Sequence, residues 1–161
     1  MIIVITGTPG VGKTTLAKVL ETKLKWKRLN LSYYYKKLST KYNRKKQCYD
    51  IDMKKFEKLI VDKSKDNLII DSHIAHLLPT KMVDLCIVLT CSNLKKLEKR
   101  LVDRKYSTKK VRENLDAEIF QVCLLESREM GHKVIIVDTS TKYVLKPILN
   151  EIKNITTINN H

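Results

Sequence analysis

A glycine-rich segment near the start of the chain constrains the fold more than any other feature. Residues 7–14 read GTPGVGKT and satisfy the pattern G-x-x-x-x-G-K-[ST]. A β-branched run precedes this segment and apolar residues at helical spacing follow it, so it lies between a predicted strand and a predicted helix. Such a loop turns successive backbone N–H groups toward a phosphate chain, and the helix adds the positive end of its dipole. The sequence therefore predicts a phosphate-binding loop.

Three side chains of this loop have expected roles on a bound phosphate chain. Lys13 reaches the β- and γ-phosphates, Thr14 offers its hydroxyl to Mg²⁺, and Thr15 can contact the α-phosphate. A glycine turn without a ligand is hard to reconcile with a match that has the correct flanking strand and helix. We therefore expect a nucleoside triphosphate and Mg²⁺ at this loop.

Strands and helices alternate along the rest of the chain. Periodicity predicts strands near residues 27–31, 67–71, 84–90 and 133–138, and helices near 53–63, 93–105, 111–130 and 142–153. Asp50 or Asp52 can cap the helix near residue 53. Val111, Leu115, Ile119 and Val122 are expected to form the buried stripe of the helix at 111–130. The alternation predicts an α/β fold of three layers, in which helices cover both faces of a mostly parallel central sheet.

The length of 161 residues suits one domain spanning residues 1–161. A basic, tyrosine-bearing segment at residues 33–47 is expected to be helical only in its first part and to form an arm. Residues from 156 onward are expected to be disordered. No apolar run approaches the roughly 20 residues that span a bilayer, and MIIVIT lacks the flanks of a signal peptide, so we expect a cytosolic protein.

Charge and cysteine content narrow the classes of partner. The chain has 32 Lys and Arg against 17 Asp and Glu, a formal net charge of +15. Residues 22–49 contain no acid and ten basic residues. This bias suits nucleotides or RNA, and a lysine-rich solvated surface is an equally open interpretation. The four cysteines form no CxxC pair, which favours free thiols over a zinc site or a disulfide framework.

Two polar residues follow the predicted strand at 67–71. Asp71 stands at its end, where P-loop proteins hold a second carboxylate near the water shell of Mg²⁺, although a strand-end Asp can also cap a helix. His73 can face the same phosphates or orient a water, and a structural role is equally open. His76 has no motif position and is interpreted as structural.

Arg100 and Arg104 lie four residues apart at the end of a predicted helix and therefore share one face. They can close over the transferring phosphoryl group as arginine fingers, because a guanidinium grips phosphate with two parallel hydrogen bonds. The alternative is a solvated basic face. Phosphoryl transfer to a phosphate acceptor needs positioning and charge neutralisation rather than a strong base.

These features together resemble one known family. GTPGVGKTT, a DSH tripeptide at a strand end, Leu78-Pro79 shortly after it, and RLVDRKYSTKKVRENLDAEIFQV at residues 100–122 are similar to the adenylate kinase isoenzyme 6 family. This family, also called coilin-interacting nuclear ATPase, occurs in archaea and eukaryotes. The resemblance runs nearly end to end, and the R-x-x-x-R-x-Y…K-x-x-x-N…AEIF pattern is specific to the family.

The resemblance implies an ATP- and Mg²⁺-dependent kinase that converts ATP and AMP to two ADP, with ATPase activity as a side or alternative function. It implies a lid at about residues 103–113, an AMP-binding arm at about 30–51, and metal- and hydrolysis-linked positions at Asp71 and His73. It also implies binding to ribosomal protein uS11 during maturation of small-subunit rRNA. We expect a cytoplasmic monomer. The implied ATP site comprises Gly10, Gly12, Lys13, Thr14, Thr15 and Arg104.

The arm departs from the family pattern. Where members resemble N-x-G-D-L-A-R, residues 30–36 read NLSYYYK, so a phosphate-gripping arginine becomes Lys36 and an acid becomes Tyr33. A lysine can still neutralise the acceptor phosphate, but without bidentate geometry. The candidate acceptor-binding residues are Asn30, Lys36 and Arg44, and either of the two cations can hold the acceptor phosphate.

Three functions are open at this point. The catalytic residues favour a nucleoside monophosphate kinase that prefers AMP. The basic arm favours an assembly factor, in which ATP hydrolysis switches the grip on a ribosomal protein or rRNA. A kinase for another small acceptor, such as shikimate or a different nucleotide, explains the loop but not the lid pattern.

Overall fold

The structure, a computed structural model, describes residues 1–43 and 48–159, with side chains through residue 157. The strands are β1 (Ile2–Thr6), β2 (Lys27–Asn30), β3 (Ser39–Asn43), β4 (Cys48–Ile51), β5 (Leu68–Asp71), β6 (Leu85–Thr90) and β7 (Val134–Asp138). The helices are α1 (Lys13–Leu24), α2 (Tyr35–Leu38), α3 (Met53–Lys63), α4 (Leu94–Asp103), α5 (Thr108–Ile119), α6 (Val122–Glu129) and α7 (Leu145–Asn159). Short 3₁₀ turns lie at Leu31–Tyr34, Ala75–Leu77 and Thr80–Met82.

The central sheet is entirely parallel in the described part of the chain. Its strand order is β2-β5-β1-β6-β7, with β1 paired to β5 on one side and to β6 on the other. Carboxyl ends of parallel strands meet at one edge of a sheet, so the loops after β1, β5, β6 and β7 converge there. This edge carries the glycine-rich loop and Asp71.

Helices cover both faces of this sheet. Ile3 and Ile5 of β1 face a core that includes apolar residues of α1, α4 and α7. Val4, between them, faces the opposite core, where Phe56 and Ile60 of α3 are fully buried. Successive strand side chains point to opposite faces, so β1 contributes to both cores. The predicted three-layer α/β fold is confirmed.

The arm is a helical turn followed by a hairpin. Among the described residues of the predicted segment, helical structure lies in the first part, which includes α2, and residues 39–43 and 48–51 then pair as the antiparallel strands β3 and β4. Each strand contributes one tyrosine, Tyr42 and Tyr49, and aromatic residues favour strands. The hairpin returns to α3, which Asp52 caps by accepting a hydrogen bond from the Lys55 N–H at 3.2 Å.

The helix predicted at residues 111–130 is two helices, which corrects that prediction. Gln121 adopts a left-handed conformation with φ 53° and ends α5 before α6 begins. The predicted buried stripe is also wrong at Ile119, which is 50% exposed, whereas Glu118 is buried. The Glu118 carboxylate accepts a hydrogen bond from the Cys91 N–H at 2.7 Å, and this polar anchor sets which face of α5 turns inward.

The chain end differs from the prediction as well. Residues 156–159 continue α7 rather than being disordered, because Ile152 and Ile155 pack into the core and hold the last turns against the sheet. Within residues 1–43 and 48–159, no helix combines the length and the apolar character needed to cross a bilayer.

The cap of α3 yields a stability prediction. Asp52→Ala removes the carboxylate that accepts the Lys55 N–H, and we expect the free energy of unfolding to fall by about 1 kcal/mol. Asp62→Ala, at an exposed position of the same helix, is the matched control and should change stability by less than about 0.5 kcal/mol. Equal losses in urea denaturation of the two variants would contradict a capping role.

Candidate functional site

The glycine-rich loop runs from the end of β1 to the start of α1. Gly7 has φ +134°, and a Cβ at this position would lie 2.3 Å from the Leu89 carbonyl oxygen, so only glycine fits against β6 here. Gly12 caps α1 at φ +101°, with open space where its side chain would be. The first turn of α1 contains no acidic residue. Its N-terminal N–H groups and dipole are therefore available to an anion.

Lys13 is half-buried, and its ammonium is held by the loop itself. Its Nζ donates to the carbonyl oxygens of Gly7 at 2.7 Å and Thr8 at 3.0 Å. Burial lowers the pKa of Lys13 from 10.5 to about 8, and the charge of Arg104 acts in the same direction. Neutral carbonyls hold the ammonium weakly compared with anionic oxygens. A bound phosphate can therefore replace them.

Asp71 lies at the carboxyl end of β5, beside Ile5 of β1, and is 4% exposed. Its Oδ2 lies 3.6 Å from Nη1 of Arg28, whose Nε donates to Glu21 at 2.9 Å. Within the described residues, neither Asp71 Oδ2 nor Arg28 Nη1 has a hydrogen-bond partner. A buried carboxylate oxygen without a donor fits the hydrated Mg²⁺ expected near Thr14, because Mg²⁺ keeps several waters and uses few protein ligands.

His73 lies on the loop after β5 and is neutral. Burial lowers the pKa of His73 from 6.5 to about 4, and the charges of Lys13, His76 and Lys110 add to this effect. Its Nδ1 lies 3.1 Å from the Tyr35 hydroxyl, which comes from α2 in the arm. A neutral imidazole can donate or accept a hydrogen bond near the phosphates but adds no charge.

His76 belongs to a buried network beneath the loop. Its Nδ1 lies 2.7 Å from the Thr6 hydroxyl and its Nε2 2.8 Å from the Glu126 carboxylate. His132 Nε2 donates to the His76 carbonyl oxygen at 2.7 Å. These contacts tie the end of β1 to α6.

Arg100 and Arg104, both predicted as arginine fingers, have different surroundings, and their role as fingers stays a prediction. The Arg100 guanidinium donates to the carbonyl oxygens of Gly10 at 3.3 Å and Thr139 at 3.2 Å. The Thr139 hydroxyl in turn donates to the Val11 carbonyl at 2.7 Å. Arg100 therefore supports the loop from α4. Arg104 caps the end of α4 and is exposed. Its positive charge nevertheless contributes to the lowered pKa of Lys13.

The three acceptor-binding candidates have different surroundings. Asn30 caps the following 3₁₀ turn, because its Oδ1 accepts from the Ser32 N–H at 3.0 Å and the Ser32 hydroxyl at 2.6 Å. Asn30 therefore has a local capping role here, and its part in binding the acceptor stays a prediction. Lys36 is exposed on α2. Arg44 lies outside the described residues.

Sequence reasoning missed Arg28, Tyr35, Glu118 and Thr139 as residues of this region. Thr139 follows β7, so its position at the carboxyl edge of a parallel sheet was the available signal. Glu118 lies inside the AEIF segment, where an acid on an apolar helix face indicates a buried partner. Arg28 and Tyr35 meet their partners only because of strand pairing and the path of the arm. Neither of these can be predicted from the local sequence.

A shallow groove of about 520 Å³ lies on the same edge. It is lined by Ser92, Asn93, Leu94, Lys95, Ser140 and Thr141. These residues follow β6 and β7, next to the Arg100 and Thr139 contacts that support the loop.

The fold and this edge define a P-loop nucleotide-binding protein. A family model described as an AAA domain matches residues 3–121. A relative from Methanocaldococcus jannaschii, provisionally named an adenylate kinase, is 39% identical over 158 residues, covering 96% of this chain and 87% of the relative. The Schizosaccharomyces pombe adenylate kinase isoenzyme 6 homolog is 35% identical over 145 residues, covering 88% and 82%. The chain belongs to the adenylate kinase isoenzyme 6 family.

The family predicted from the loop and lid motifs is thus confirmed, and these relatives make the chain a nucleotide kinase with ATP as a substrate. Solved structures of similar fold include deoxyadenosine kinase from M. mycoides with bound dATP, with a TM-score of 0.64, 17% identity, and coverage of 95% of this chain and 100% of that one. The YorR protein of Bacillus subtilis, in complex with phosphorylated GDP, has a TM-score of 0.62, 17% identity, and coverage of 100% and 98%. At this identity they establish the fold alone.

The lowered pKa of Lys13 yields a pH prediction. Without ligand, Lys13 loses its proton near pH 8, whereas phosphate anions favour its charged form and raise its pKa. Binding of ATP should therefore take up a proton above pH 8 and not at pH 7. Isothermal titration calorimetry in two buffers of different ionisation enthalpy measures this uptake.

Lys13→Arg is the matched control, because a guanidinium stays charged throughout this pH range and should bind without proton uptake. The phosphates of ATP do not interfere, since their last pKa lies near 6. Equal uptake by both proteins at pH 9 would show that the proton goes elsewhere.

Proposed function

We propose that this nucleotide kinase is an ATP:AMP phosphotransferase that forms two ADP, requires Mg²⁺, and hydrolyses ATP slowly when no acceptor is bound. We propose further that it acts as a monomer in the cytoplasm, where its four free thiols suit a reducing environment. The names of the relatives support the choice of AMP.

One observation carries this proposal: a half-buried lysine in a glycine loop lies within electrostatic reach of Arg104 and Asp71. Transfer of a phosphoryl group between phosphates spreads negative charge over the equatorial oxygens and requires little proton transfer. Lys13 and Arg104 neutralise that charge, and the N-terminus of α1 orients the phosphate chain. A neutral His73 is sufficient because a phosphate acceptor needs no strong base.

Mg²⁺ would be held by Thr14 and, through water, by Asp71. When bound, it neutralises the β- and γ-phosphate charges. Arg28 Nη1 lies 3.6 Å from the same oxygen, Oδ2 of Asp71, and Glu21 in turn binds Arg28. This chain of ion pairs holds one oxygen of Asp71 in place.

The test is the nucleotide requirement of the purified chain. We expect ADP to form from ATP and AMP much faster than phosphate is released from ATP alone, and Lys13→Ala to abolish both reactions. Retention of more than about a tenth of kcat by Lys13→Ala, equivalent to under roughly 1.4 kcal/mol of transition-state stabilisation, would contradict the assigned role of the loop. Phosphate release that equals ADP formation and ignores AMP would favour an ATPase.

A second candidate function rests on the arm. Tyr33 is 81% exposed and Tyr42 50% exposed, and Lys36, Lys37 and Lys41 lie near them in the sequence. Exposed aromatic rings among cations stack unpaired bases and neutralise phosphates. These residues support an assembly factor that grips small-subunit rRNA, or ribosomal protein uS11, and uses ATP hydrolysis as its switch.

Two arm variants separate these functions. If Lys36 holds the acceptor phosphate, Lys36→Arg should lower the KM for AMP by roughly fivefold, about 1 kcal/mol, because a guanidinium forms two hydrogen bonds where an ammonium acts as a point charge. ATP hydrolysis without AMP should barely change.

The other variant combines Tyr33→Ala with Lys37→Glu. Loss of binding to a single-stranded RNA by this variant, with AMP kinetics untouched in Lys36→Arg, would make the arm a docking surface. Lys146→Glu, exposed on α7, is the control for the change in net charge. Unaltered RNA binding in the arm variant would exclude this role for the arm.

A further inference from the structure

The contact between Tyr35 and His73 joins the arm to the loop after β5. The Tyr35 hydroxyl lies 3.1 Å from His73 Nδ1 and 3.5 Å from the Ser72 hydroxyl, and the two rings meet edge to face at 6.1 Å. Tyr35 is the third of three consecutive tyrosines in the arm, and it is the one that reaches His73. The proposed kinase reaction does not use it.

Both partners of this contact are fixed. The His73 carbonyl accepts a hydrogen bond from the Thr6 hydroxyl at 3.2 Å, which ties its backbone to β1. The Tyr35 ring packs against Tyr49 of β4 with centroids 6.4 Å apart. The hydroxyl therefore meets the imidazole in a set geometry rather than as a chance contact of two free side chains.

The chemistry of the two groups decides which one donates. Burial raises the pKa of the Tyr35 hydroxyl, so it keeps its proton. A phenol is a far stronger acid than the N–H of a neutral imidazole, and an imidazole nitrogen accepts better than a phenol oxygen. The hydroxyl therefore donates to Nδ1, and the single ring proton of His73 resides on Nε2.

We propose that Tyr35 is a positioning residue that fixes His73 as a hydrogen-bond donor, and that it thereby suppresses ATP hydrolysis relative to transfer to the acceptor. In hydrolysis, a water oxygen bonds to the γ-phosphorus, the bond to the β,γ-bridging oxygen breaks, and the water loses a proton. With Nε2 protonated, His73 has no free nitrogen to accept that proton. It can still donate to a phosphate oxygen. This inference rests on the proposed kinase function.

The test deletes one hydroxyl. Tyr35→Phe keeps the ring contacts with His73 and Tyr49 but lets the ring proton move to Nδ1. We expect phosphate release from ATP alone to rise about fivefold, a change of about 1 kcal/mol, which is the size of one hydrogen bond. ADP formation with AMP should stay within about twofold of wild type. Tyr34→Phe, the neighbouring half-buried tyrosine, is the matched control and should change neither rate.

A second measurement reads the tautomer directly. Long-range ¹H–¹⁵N correlation spectra of the full chain, assigned with a His73→Gln variant, should show Nδ1 unprotonated in wild type and partly protonated in Tyr35→Phe. A wild-type spectrum with the proton on Nδ1 overturns the proposal even if the variant does not fold. Unchanged hydrolysis, or an equal fall of both activities in Tyr35→Phe, also overturns it.

Neither phosphate release from ATP alone nor the tautomer of His73 depends on which acceptor the protein uses. If wild type forms no ADP from AMP, the adenylate kinase assignment fails. Hydrolysis of ATP alone and the tautomer of His73 still decide the role of Tyr35.

Discussion

The pairing of β1 between β5 and β6 is the interaction on which the rest of this structure depends. It places the glycine-rich loop, Asp71 and the end of β6 at one edge of the sheet, although these segments are far apart in the chain. The loop can pass close to β6 only because Gly7 has no side chain to meet the Leu89 carbonyl. Arg100 and Thr139 then hold the back of the loop by its own carbonyl oxygens, so that its N–H groups keep their orientation when a phosphate arrives.

Two charged groups at this edge, Lys13 and Asp71, lack strong hydrogen-bond partners within the part of the chain that the structure describes. Lys13 contacts only neutral carbonyls among the described residues, and one Asp71 oxygen has no donor. An ammonium held by neutral carbonyls and a buried carboxylate oxygen that has an ion pair at 3.6 Å but no hydrogen bond from the described residues both cost stability in the free protein. Anionic phosphates would relieve the first cost, and the proposed Mg²⁺ with its waters would relieve the second. His73 has a pKa lowered by burial and is neutral, so it adds no positive charge to this edge.

Local sequence patterns predicted the secondary-structure elements better than the contacts between residues that are distant in the chain. The loop, the parallel sheet and the capped helix α3 followed from spacing of apolar residues and from Asp52, because each depends on neighbours within a few positions. The break at Gln121 escaped prediction, since a left-handed residue other than glycine leaves no compositional signal. Arg28 meets Asp71 only because β2 pairs with β5, and Tyr35 meets His73 only because the arm folds back over the strand end. Such contacts depend on register across 38 or more positions.

The arm has one side exposed to solvent and another side in contact with the edge of the central sheet. Its outer side presents Tyr33 and Tyr42 to solvent, while Tyr35 contacts His73 in the loop after β5. Whatever binds the outer side, an acceptor nucleotide or a larger partner, therefore acts on a segment that already contacts His73. Since Tyr49 of the hairpin packs between Tyr42 and Tyr35, a displacement of the hairpin is transmitted to the hydroxyl through contacting rings. Under the role proposed for Tyr35, a ligand on the arm would change the ratio of hydrolysis to transfer without touching the phosphate loop.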